Sequence, residues 1–242
     1  MKKTLIALCM LSNMVFAQTA PDYAKEARWA DQVEDGIMDG DVIWLTANNH
    51  EFMSIFTPSE TDTNKAAIIV HGLGAHADWP QVVQPLRVAL TEQGFNTLSL
   101  QMPVLENGHD AVKYMSLLPQ ADERIKAAID YLSSQGLKAD VIVAHSLGTV
   151  MSAHYLNNGS HPFKRFVAVG MPDLAAQYLH KIRIPVLDLY GTDDIEPVLS
   201  SVNQRADAAK NNKNYQQLKV TADHFFNEKD ELLIDTVNAW LN

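Results

Sequence analysis

The chain has 242 residues, of which 47% are hydrophobic and 20% charged, and its formal net charge is −10. This composition predicts one globular domain with a sizeable core, or at most two small ones, and it gives no sign of disorder. No basic stripe interrupts the acidic balance, which argues against binding to nucleic acid or to an anionic membrane surface.

The first segment has the pattern of a secretory signal. Lysines precede an apolar run over residues 5–16, and the small-residue cleavage pattern Val15-Phe16-Ala17 follows. The run is too short to span a membrane. We therefore expect residues 1–17 to be removed and the mature protein to be secreted, with the periplasm as its compartment and without stable membrane insertion. Cys9, the only cysteine, lies in this segment, so the mature chain would form no disulfide.

The next residues change from a weak pattern to a regular one. Residues 18–40 have little periodicity, apart from a short helix predicted over 26–33. Residues 41–47 and 50–57 alternate apolar and polar side chains across Asn48-Asn49, which predicts an antiparallel hairpin. Later strands are predicted over 66–70, 96–100, 140–143, 166–169, 185–190 and 217–220. Helices are predicted over 80–92 with Asp78 as cap, 121–134, 147–156, 173–180, 199–211 and 229–241.

This order of elements predicts the fold class. Strict alternation of strand and helix after an antiparallel start indicates an α/β fold with a mostly parallel central sheet and helices on both faces. We therefore predict an N-terminal segment over 18–40 and one domain over 41–242. Ligands of such sheets bind beyond the carboxyl ends of the strands.

The pattern of residues 140–150 predicts a strand, a sharp turn and a helix in that order. The apolar run 141–143 ends at Ala144, and Gly148 opens an amphipathic pattern two residues after Ser146. In such a turn the central residue has a strained backbone, and small residues two positions before and after it let strand and helix approach. The turn would expose the Ser146 hydroxyl at the end of the strand. It resembles the nucleophile elbow of the α/β-hydrolase superfamily, with Ala144 in place of the commoner glycine.

The resemblance implies a catalytic acid and base that follow the serine in the order serine, acid, histidine. The hydroxyl needs a base to take its proton, and the base needs a carboxylate to hold its tautomer. Of the histidines after Ser146, only His224 follows a further strand, in the loop where the superfamily carries its base. The acid is expected after the strand at 185–190, where the turn beginning at Gly191 resembles the superfamily's Gly-x-x-Asp turn. This favours Asp194, with Asp193 as the alternative.

The resemblance also implies an oxyanion hole, formed by backbone N–H groups. One donor would be Leu147, at the amino end of the helix, and the other Leu73, in the His-Gly loop after the first parallel strand. Residues 103–119 form the longest irregular segment, which either packs over the sheet edge or lines the pocket. In the second case Leu105 and Tyr114 would contact the substrate together with His145. The 15 residues over 171–185 leave no room for a large cap domain.

Two other kinds of site fit the sequence poorly. Residues 72–77 match the dinucleotide-binding pattern G-x-G-x-x-A, but Gln101 stands where that site needs an acidic residue to bind a ribose. A metal site would have to use scattered side chains without an H-E-x-x-H motif or a cysteine pair, namely His71, His76, Asp78 and His109. We therefore expect neither a cofactor nor a metal, and a structural role for His71.

A closer resemblance is carried by residues 71–80, 94–100 and 184–190. They are similar to an uncharacterised family of secreted proteobacterial α/β-hydrolase-like proteins, and the likeness runs from about residue 41 to the end. It implies the α/β-hydrolase fold and a secreted serine hydrolase, a carboxylesterase or thioesterase, which forms an acyl-enzyme on Ser146 and acts on a small-molecule ester or thioester. The alternative is a non-catalytic member of the fold that serves as a binding protein of the cell envelope.

Overall fold

A computed structural model of the protein describes residues 20–242, so the predicted signal segment over 1–17 lies outside the described residues. One sheet contains the strands β1 Asp41–Ala47, β2 His50–Thr57, β3 Lys65–Val70, β4 Asn96–Leu100, β5 Lys138–His145, β6 Arg165–Val169, β7 Val186–Asp193 and β8 Tyr215–Asp223. Their order across the sheet is β1-β2-β4-β3-β5-β6-β7-β8. Strand β2 is antiparallel to both neighbours, and the remaining pairs are parallel. The predicted mostly parallel sheet is confirmed.

The hairpin of β1 and β2 follows the predicted register. Asp41 pairs with Phe56, and Ala47 pairs with His50 across the turn. Asn48 and Asn49 both have positive φ angles, 51° and 60°, which two-residue turns between antiparallel strands require. Asparagine tolerates this backbone conformation better than other non-glycine residues, so the two turn residues fix the pairing of the strands.

Helices cover both faces of the sheet. They are α1 Tyr23–Gly36, α2 Val83–Glu92, α3 Ala111–Tyr114, α4 Leu118–Ser134, α5 Leu147–Asn157, α6 Ala176–Leu179, α7 Glu196–Leu199, α8 Val202–Ala208 and α9 Asp230–Leu241, with 3₁₀ turns at Met115–Leu117 and Asp173–Ala175. Successive residues of β3 point to opposite faces. Ile68 packs in the core layer of α4 and α5, whereas Ile69 packs in the layer of α2 and α9. No helix within residues 20–242 has the length and apolar character to cross a membrane.

Helix α1 is longer than predicted and is anchored by buried charges. Glu26 accepts hydrogen bonds from Arg124 at 3.0 and 2.9 Å through both carboxylate oxygens, and both side chains are buried. Lys25 donates to the carbonyl of Leu105 at 3.2 Å and to the side chain of Asn107 at 2.8 Å. Because a buried charge is stable only when it is paired, these contacts fix α1 against the body of the protein.

Several helix boundaries differ from the prediction; α4 begins earlier, at Leu118, and the helix predicted over 173–180 is a 3₁₀ turn followed by α6. Helix α2 begins at Val83 rather than at residue 80, because Val82 before it has a φ of +64°, outside helical geometry. Asp78 does not cap the helix; its carboxylate accepts a hydrogen bond of 2.6 Å from the buried Arg87. The helix predicted over 199–211 is instead the short helices α7 and α8, separated around Ser200.

Candidate active site

The turn from β5 into α5 gives Ser146 its unusual backbone. Its φ and ψ are 53° and −123°, a strained combination that the surrounding contacts must hold. The Ser146 N–H donates to the carbonyl of Val169 on β6 at 2.8 Å, which ties the turn to the sheet. A β-carbon on Gly148 would lie 2.5 Å from the carbonyl oxygen of His71, so only glycine lets α5 pass this loop. Ala144, at the other small position, is buried.

The structure brings Ser146, His224 and Asp194 together in one hydrogen-bonded row. His224 Nε2 lies 2.9 Å from Ser146 Oγ, and His224 Nδ1 lies 2.5 Å from Asp194 Oδ1. The carboxylate is fully buried and also accepts the backbone N–H groups of Ile195 at 2.8 Å and Gly191 at 3.1 Å. These contacts leave Nδ1 as the donor to the carboxylate and Nε2 free to accept the serine proton.

The neighbouring carboxylate, Asp193, lies outside this row. Its side chain is exposed and accepts a hydrogen bond of 3.0 Å from Thr192 Oγ1. Strand β7 ends at Asp193, and the Asp193 side chain faces solvent. The side chain of Asp194, the next residue, faces the loop after β8 that carries His224. Of the two carboxylates that the sequence left open, only Asp194 contacts His224.

Gly170 makes room for the imidazole, and sequence reasoning did not single it out. It follows β6 with a φ of +61°, and a β-carbon there would lie 2.9 Å from Cε1 of His224. Any larger residue would displace the ring from Ser146. A signal was present, because a glycine directly after a buried parallel strand lies at the edge of the sheet where ligands bind.

The two predicted oxyanion donors are the residue that follows Ser146 and a residue of the loop that packs against it. Within residues 20–242, the backbone N–H groups of Leu73 and Leu147 donate to no protein acceptor. Leu147 is the first residue of α5, where the partial positive charge of the helix is greatest. The loop before Leu73 approaches so closely that a β-carbon on Gly72 would lie 2.9 Å from Cβ of Ser146. An oxyanion between these amides would therefore meet two free donors.

His71 holds this loop in place. Its Nδ1–H donates to the carbonyl of Gly72 at 2.8 Å, and its Nε2 accepts the backbone N–H of Met102 at 2.9 Å. Burial lowers the pKa of His71 to about 3, so the ring is neutral at physiological pH. Gln101, which replaces the acidic residue of a dinucleotide site, lies with its side-chain nitrogen 3.0 Å from the same Nε2.

His145 supports the base rather than pointing freely into the pocket. Its Nε2–H donates to the backbone carbonyl of His224 at 2.9 Å, and the centres of the two rings lie 4.9 Å apart. Burial, followed by the nearby His224, lowers the pKa of His145 to about 4. The ring lines the pocket but is buried, so its clearest contact is the one that positions the loop of His224.

Ser146 and His224 open into a cavity of about 600 Å³, within the usual range of small-molecule pockets. Most of its wall is apolar and comes from residues that the sequence analysis did not single out, chiefly Trp79, Pro172, Leu174, Ile195 and Phe225. Between β6 and β7 the chain adds only the 3₁₀ turn at Asp173–Ala175 and α6, so no large cap covers the cavity. Ile195 and Phe225 directly follow the acid and the base, which is the signal that could have identified them.

The prediction that Leu105 and Tyr114 contact substrate is wrong. Both side chains are buried in the core, and the Tyr114 hydroxyl accepts the backbone N–H of Leu105 at 3.0 Å. The segment does reach the cavity, but through Asp110, Ala111 and Val112. Residues two positions apart on a helix face different directions, so Val112 points outward when Tyr114 points into the core.

Solved structures share this fold at low sequence identity. A serine hydrolase homologue from Coxiella burnetii is 17% identical, with a TM-score of 0.67 over 86% of this chain and 100% of its own. An esterase from Pyrococcus furiosus is 14% identical, with a TM-score of 0.69 over 83% of this chain and 91% of its own. A dienelactone hydrolase from Anabaena variabilis is 17% identical, with a TM-score of 0.66 over 83% and 95%. The chain therefore has the α/β-hydrolase fold.

The family comparison covers nearly the whole sequence. No curated protein matches the chain. Residues 13–121 and 106–242 match the family described as Protein of unknown function (DUF3530). This confirms the predicted resemblance to an uncharacterised family with the α/β-hydrolase fold. The chain belongs to this DUF3530 family.

Proposed function

We propose that the protein is a serine hydrolase that cleaves a carboxylic ester or a thioester through an acyl-enzyme on Ser146. The observation that carries the proposal is the row of hydrogen bonds from Ser146 Oγ to His224 Nε2, 2.9 Å, and from His224 Nδ1 to Asp194 Oδ1, 2.5 Å, at the wall of an apolar cavity. The esterase and the dienelactone hydrolase that share the fold support the same class of reaction.

In the proposed reaction Ser146 Oγ attacks the acyl carbon while His224 Nε2 takes its proton. The negative charge that develops on the acyl oxygen is stabilised by the N–H groups of Leu73 and Leu147. The imidazolium then protonates the departing alcohol or thiol, which leaves the acyl group on Ser146. Finally, His224 Nε2 takes a proton from water while the water oxygen attacks the acyl carbon. The imidazolium then returns this proton to Ser146 Oγ as the bond between Oγ and the acyl carbon breaks and the acid product leaves.

Asp194 stabilises the charged imidazole during both steps. Its buried carboxylate accepts the Nδ1 proton, which fixes the tautomer and the orientation of His224. An ester or thioester is favoured over an amide because an alcohol or thiol leaves more easily than an amine. The mechanism needs no cofactor and no metal. Within residues 20–242 no three histidine, aspartate or glutamate side chains are placed to hold a metal ion.

We further propose that residues 1–17 direct export and that the mature chain, with its segment 18–40 and its domain 41–242, acts in the periplasm. Support comes from the apolar run and the cleavage pattern Val15-Phe16-Ala17. Osmotic-shock fractionation followed by N-terminal sequencing should recover a mature chain that begins at Gln18. Retention of the full-length chain in the cytoplasm would contradict this part of the proposal.

The enzymatic proposal is tested with p-nitrophenyl esters of increasing acyl length, measured for the wild type and for Ser146→Ala. We expect turnover by the wild type and a loss of about 10⁴-fold or more in kcat for the variant. Turnover that survives the substitution would reject Ser146 as the nucleophile. Absence of turnover by the wild type on every ester, together with no reaction at Ser146 with a fluorophosphonate, would favour the non-catalytic scaffold.

A further inference from the structure

The mouth of the cavity is unusually apolar. Of the eight large hydrophobic side chains that are exposed within residues 20–242, four line this cavity, and we call them the apolar rim: Leu73, Val112, Ile195 and Phe225. Val112 is 64% exposed and the other three are 41 to 42% exposed. They come from four separate segments, so no single helix or strand accounts for their clustering. Exposed apolar residues that gather in one place mark a binding surface.

The wall of the cavity behind the apolar rim is also mostly apolar. Trp79, Leu147 and Leu174 continue the apolar surface inward to Ser146. Apart from backbone groups, the neutral polar atoms in the wall belong to Ser146, to the two histidines of the candidate site and to the indole N–H of Trp79. A ligand that fills this space gains by burying apolar surface, because few polar groups are available to hydrogen-bond with it.

The charged residues of the cavity wall are both acidic. They are Asp110 and Asp173, and no lysine or arginine of the described residues 20–242 lines the cavity. Each carboxylate is fixed by the backbone: Asp110 accepts the N–H of Lys113 at 3.0 Å, and Asp173 accepts that of Leu174 at 2.8 Å. Neither forms an ion pair with a described residue. An anion that enters the cavity therefore meets two negative charges and no compensating cation.

From this arrangement we propose that the cavity selects uncharged esters with an apolar chain and that the exposed carboxylates of Asp110 and Asp173 disfavour esters that carry an anionic group. The chain of the substrate lies along the apolar rim while its carbonyl carbon lies at Ser146. The same repulsion disfavours thioesters of phosphate-bearing carriers, which narrows the proposed substrates to neutral esters and neutral thioesters. The statement that the ligand is an ester cleaved at Ser146 rests on the proposed function. The preference for neutral over anionic ligands does not, because it concerns binding alone.

A matched pair of substrates tests the inference. Mono-p-nitrophenyl adipate and p-nitrophenyl hexanoate have the same chain length and differ in a terminal carboxylate against a terminal methyl group. We expect kcat/KM to be at least about tenfold higher for the hexanoate. The double variant Asp110→Asn/Asp173→Asn keeps the backbone-capping oxygens, since asparagine caps as well as aspartate. We expect it to reduce the ratio of the two kcat/KM values by about threefold or more.

The control variant is Asp31→Asn/Asp62→Asn, which changes the net charge equally at exposed residues that do not line the cavity. It should keep the wild-type ratio. Equal or better turnover of the adipate by the wild type, or the same ratio in the Asp110→Asn/Asp173→Asn variant, would overturn the inference. An equal fall of the ratio of the two kcat/KM values in the control variant would also overturn the inference, because the effect would then come from the net charge of the protein.

A binding measurement separates this inference from the proposed function. Titration calorimetry of Ser146→Ala with methyl hexanoate and with monomethyl adipate needs no turnover. We expect the neutral ester to bind about tenfold more tightly. If the wild type hydrolysed no ester and Ser146 did not react with a fluorophosphonate while this preference remained, the proposed function would fail and the inference would hold. Equal or tighter binding of the adipate would overturn the inference, whether or not the protein is an enzyme.

Discussion

Gly170 and the imidazole of His224 lie so close that a β-carbon on the glycine would be 2.9 Å from Cε1 of the ring. The glycine also has a φ of +61°, which an L-residue with a side chain adopts at a cost. The base of the proposed enzyme therefore depends on a residue that takes no part in the chemistry. The contact makes His224 sensitive to a single methyl group.

Gly170→Ala should displace the imidazole from Ser146 Oγ and reduce kcat by about 10- to 100-fold, because small misplacements of catalytic groups are costly. The positive φ should also lower the free energy of unfolding by about 1–2 kcal/mol. Gly159→Ala is the matched control, since a β-carbon there would meet no atom of the other described residues within 4 Å and its φ is not positive. Ester hydrolysis and urea unfolding measure both effects. Wild-type kcat in Gly170→Ala would contradict the assigned role of the contact.

The adjacent pair Asp193 and Asp194 gives a second test. Asp194→Asn should reduce kcat by about 10⁴-fold, because an amide does not hold the imidazole in the required tautomer. Asp193→Asn removes a charge one residue away, from an exposed side chain that does not contact His224, and should leave kcat near the wild-type value. The comparison is made with the same ester at pH 7. Equal losses in the two variants would show that charge in the turn, and not the hydrogen bond, is what matters.

The buried histidines His71 and His145 predict a loss of stability in mild acid. Burial lowers the pKa of His71 to about 3 and that of His145 to about 4, both below the value of about 6.5 expected in the unfolded chain. Between pH 6.5 and 4 the unfolded chain therefore binds protons that the folded protein does not. As the pH falls through this window, each histidine should reduce the free energy of unfolding by about 1 kcal/mol per pH unit.

This prediction is checked by urea unfolding at several pH values and by NMR titration of the histidine ring protons. The stability contributed by the neutral rings is complete above pH 6.5 and is lost on acidification, so unfolding midpoints should decrease steadily below that pH. Two ring signals should stay unshifted down to about pH 5, well below the usual histidine pKa. Titration of every ring near the usual value would show that His71 and His145 are not held neutral by burial.

The buried pair of Glu26 and Arg124 predicts that α1 contributes strongly to stability. Glu26→Ala leaves the Arg124 guanidinium buried without its partner, so we expect the free energy of unfolding to fall by about 3–5 kcal/mol. The matched control is Asp130→Ala, which breaks an ion pair of Lys126 in which both side chains are about 60% exposed. Because water solvates such charges, the control should change stability little. Similar unfolding midpoints for both variants would contradict the anchoring role of Glu26.

Local signals in the sequence predicted much of the fold. The Asn48-Asn49 turn fixed the hairpin, and the β-branched run before Ser146 identified the central strand. Long-range contacts could not be predicted in this way. Asp78 looked like a helix cap, yet it pairs with Arg87 and not with a backbone N–H of its own helix. Which partner a carboxylate takes depends on packing that a local pattern does not contain.

The candidate site was predictable to a similar extent. The resemblance to the α/β-hydrolase superfamily, with its order of serine, acid and histidine, singled out Ser146 and His224, and the structure places Ser146 Oγ 2.9 Å from His224 Nε2. The residues of the cavity wall could not be predicted in this way, because they depend on which face of a short helix turns outward. In α3 the apolar Val112, which the sequence analysis did not single out, faces the cavity, while the predicted Tyr114 faces the core.

The measurement that tests the account most directly is reaction with a fluorophosphonate, followed by mass spectrometry of the digested protein. The reagent phosphonylates only a serine whose hydroxyl is activated by a base. We predict a single adduct on the peptide that carries Ser146, absent in Ser146→Ala and formed much more slowly in His224→Gln. An unlabelled wild-type protein, or an adduct on another residue, would contradict the claim that Ser146, His224 and Asp194 form a working nucleophile.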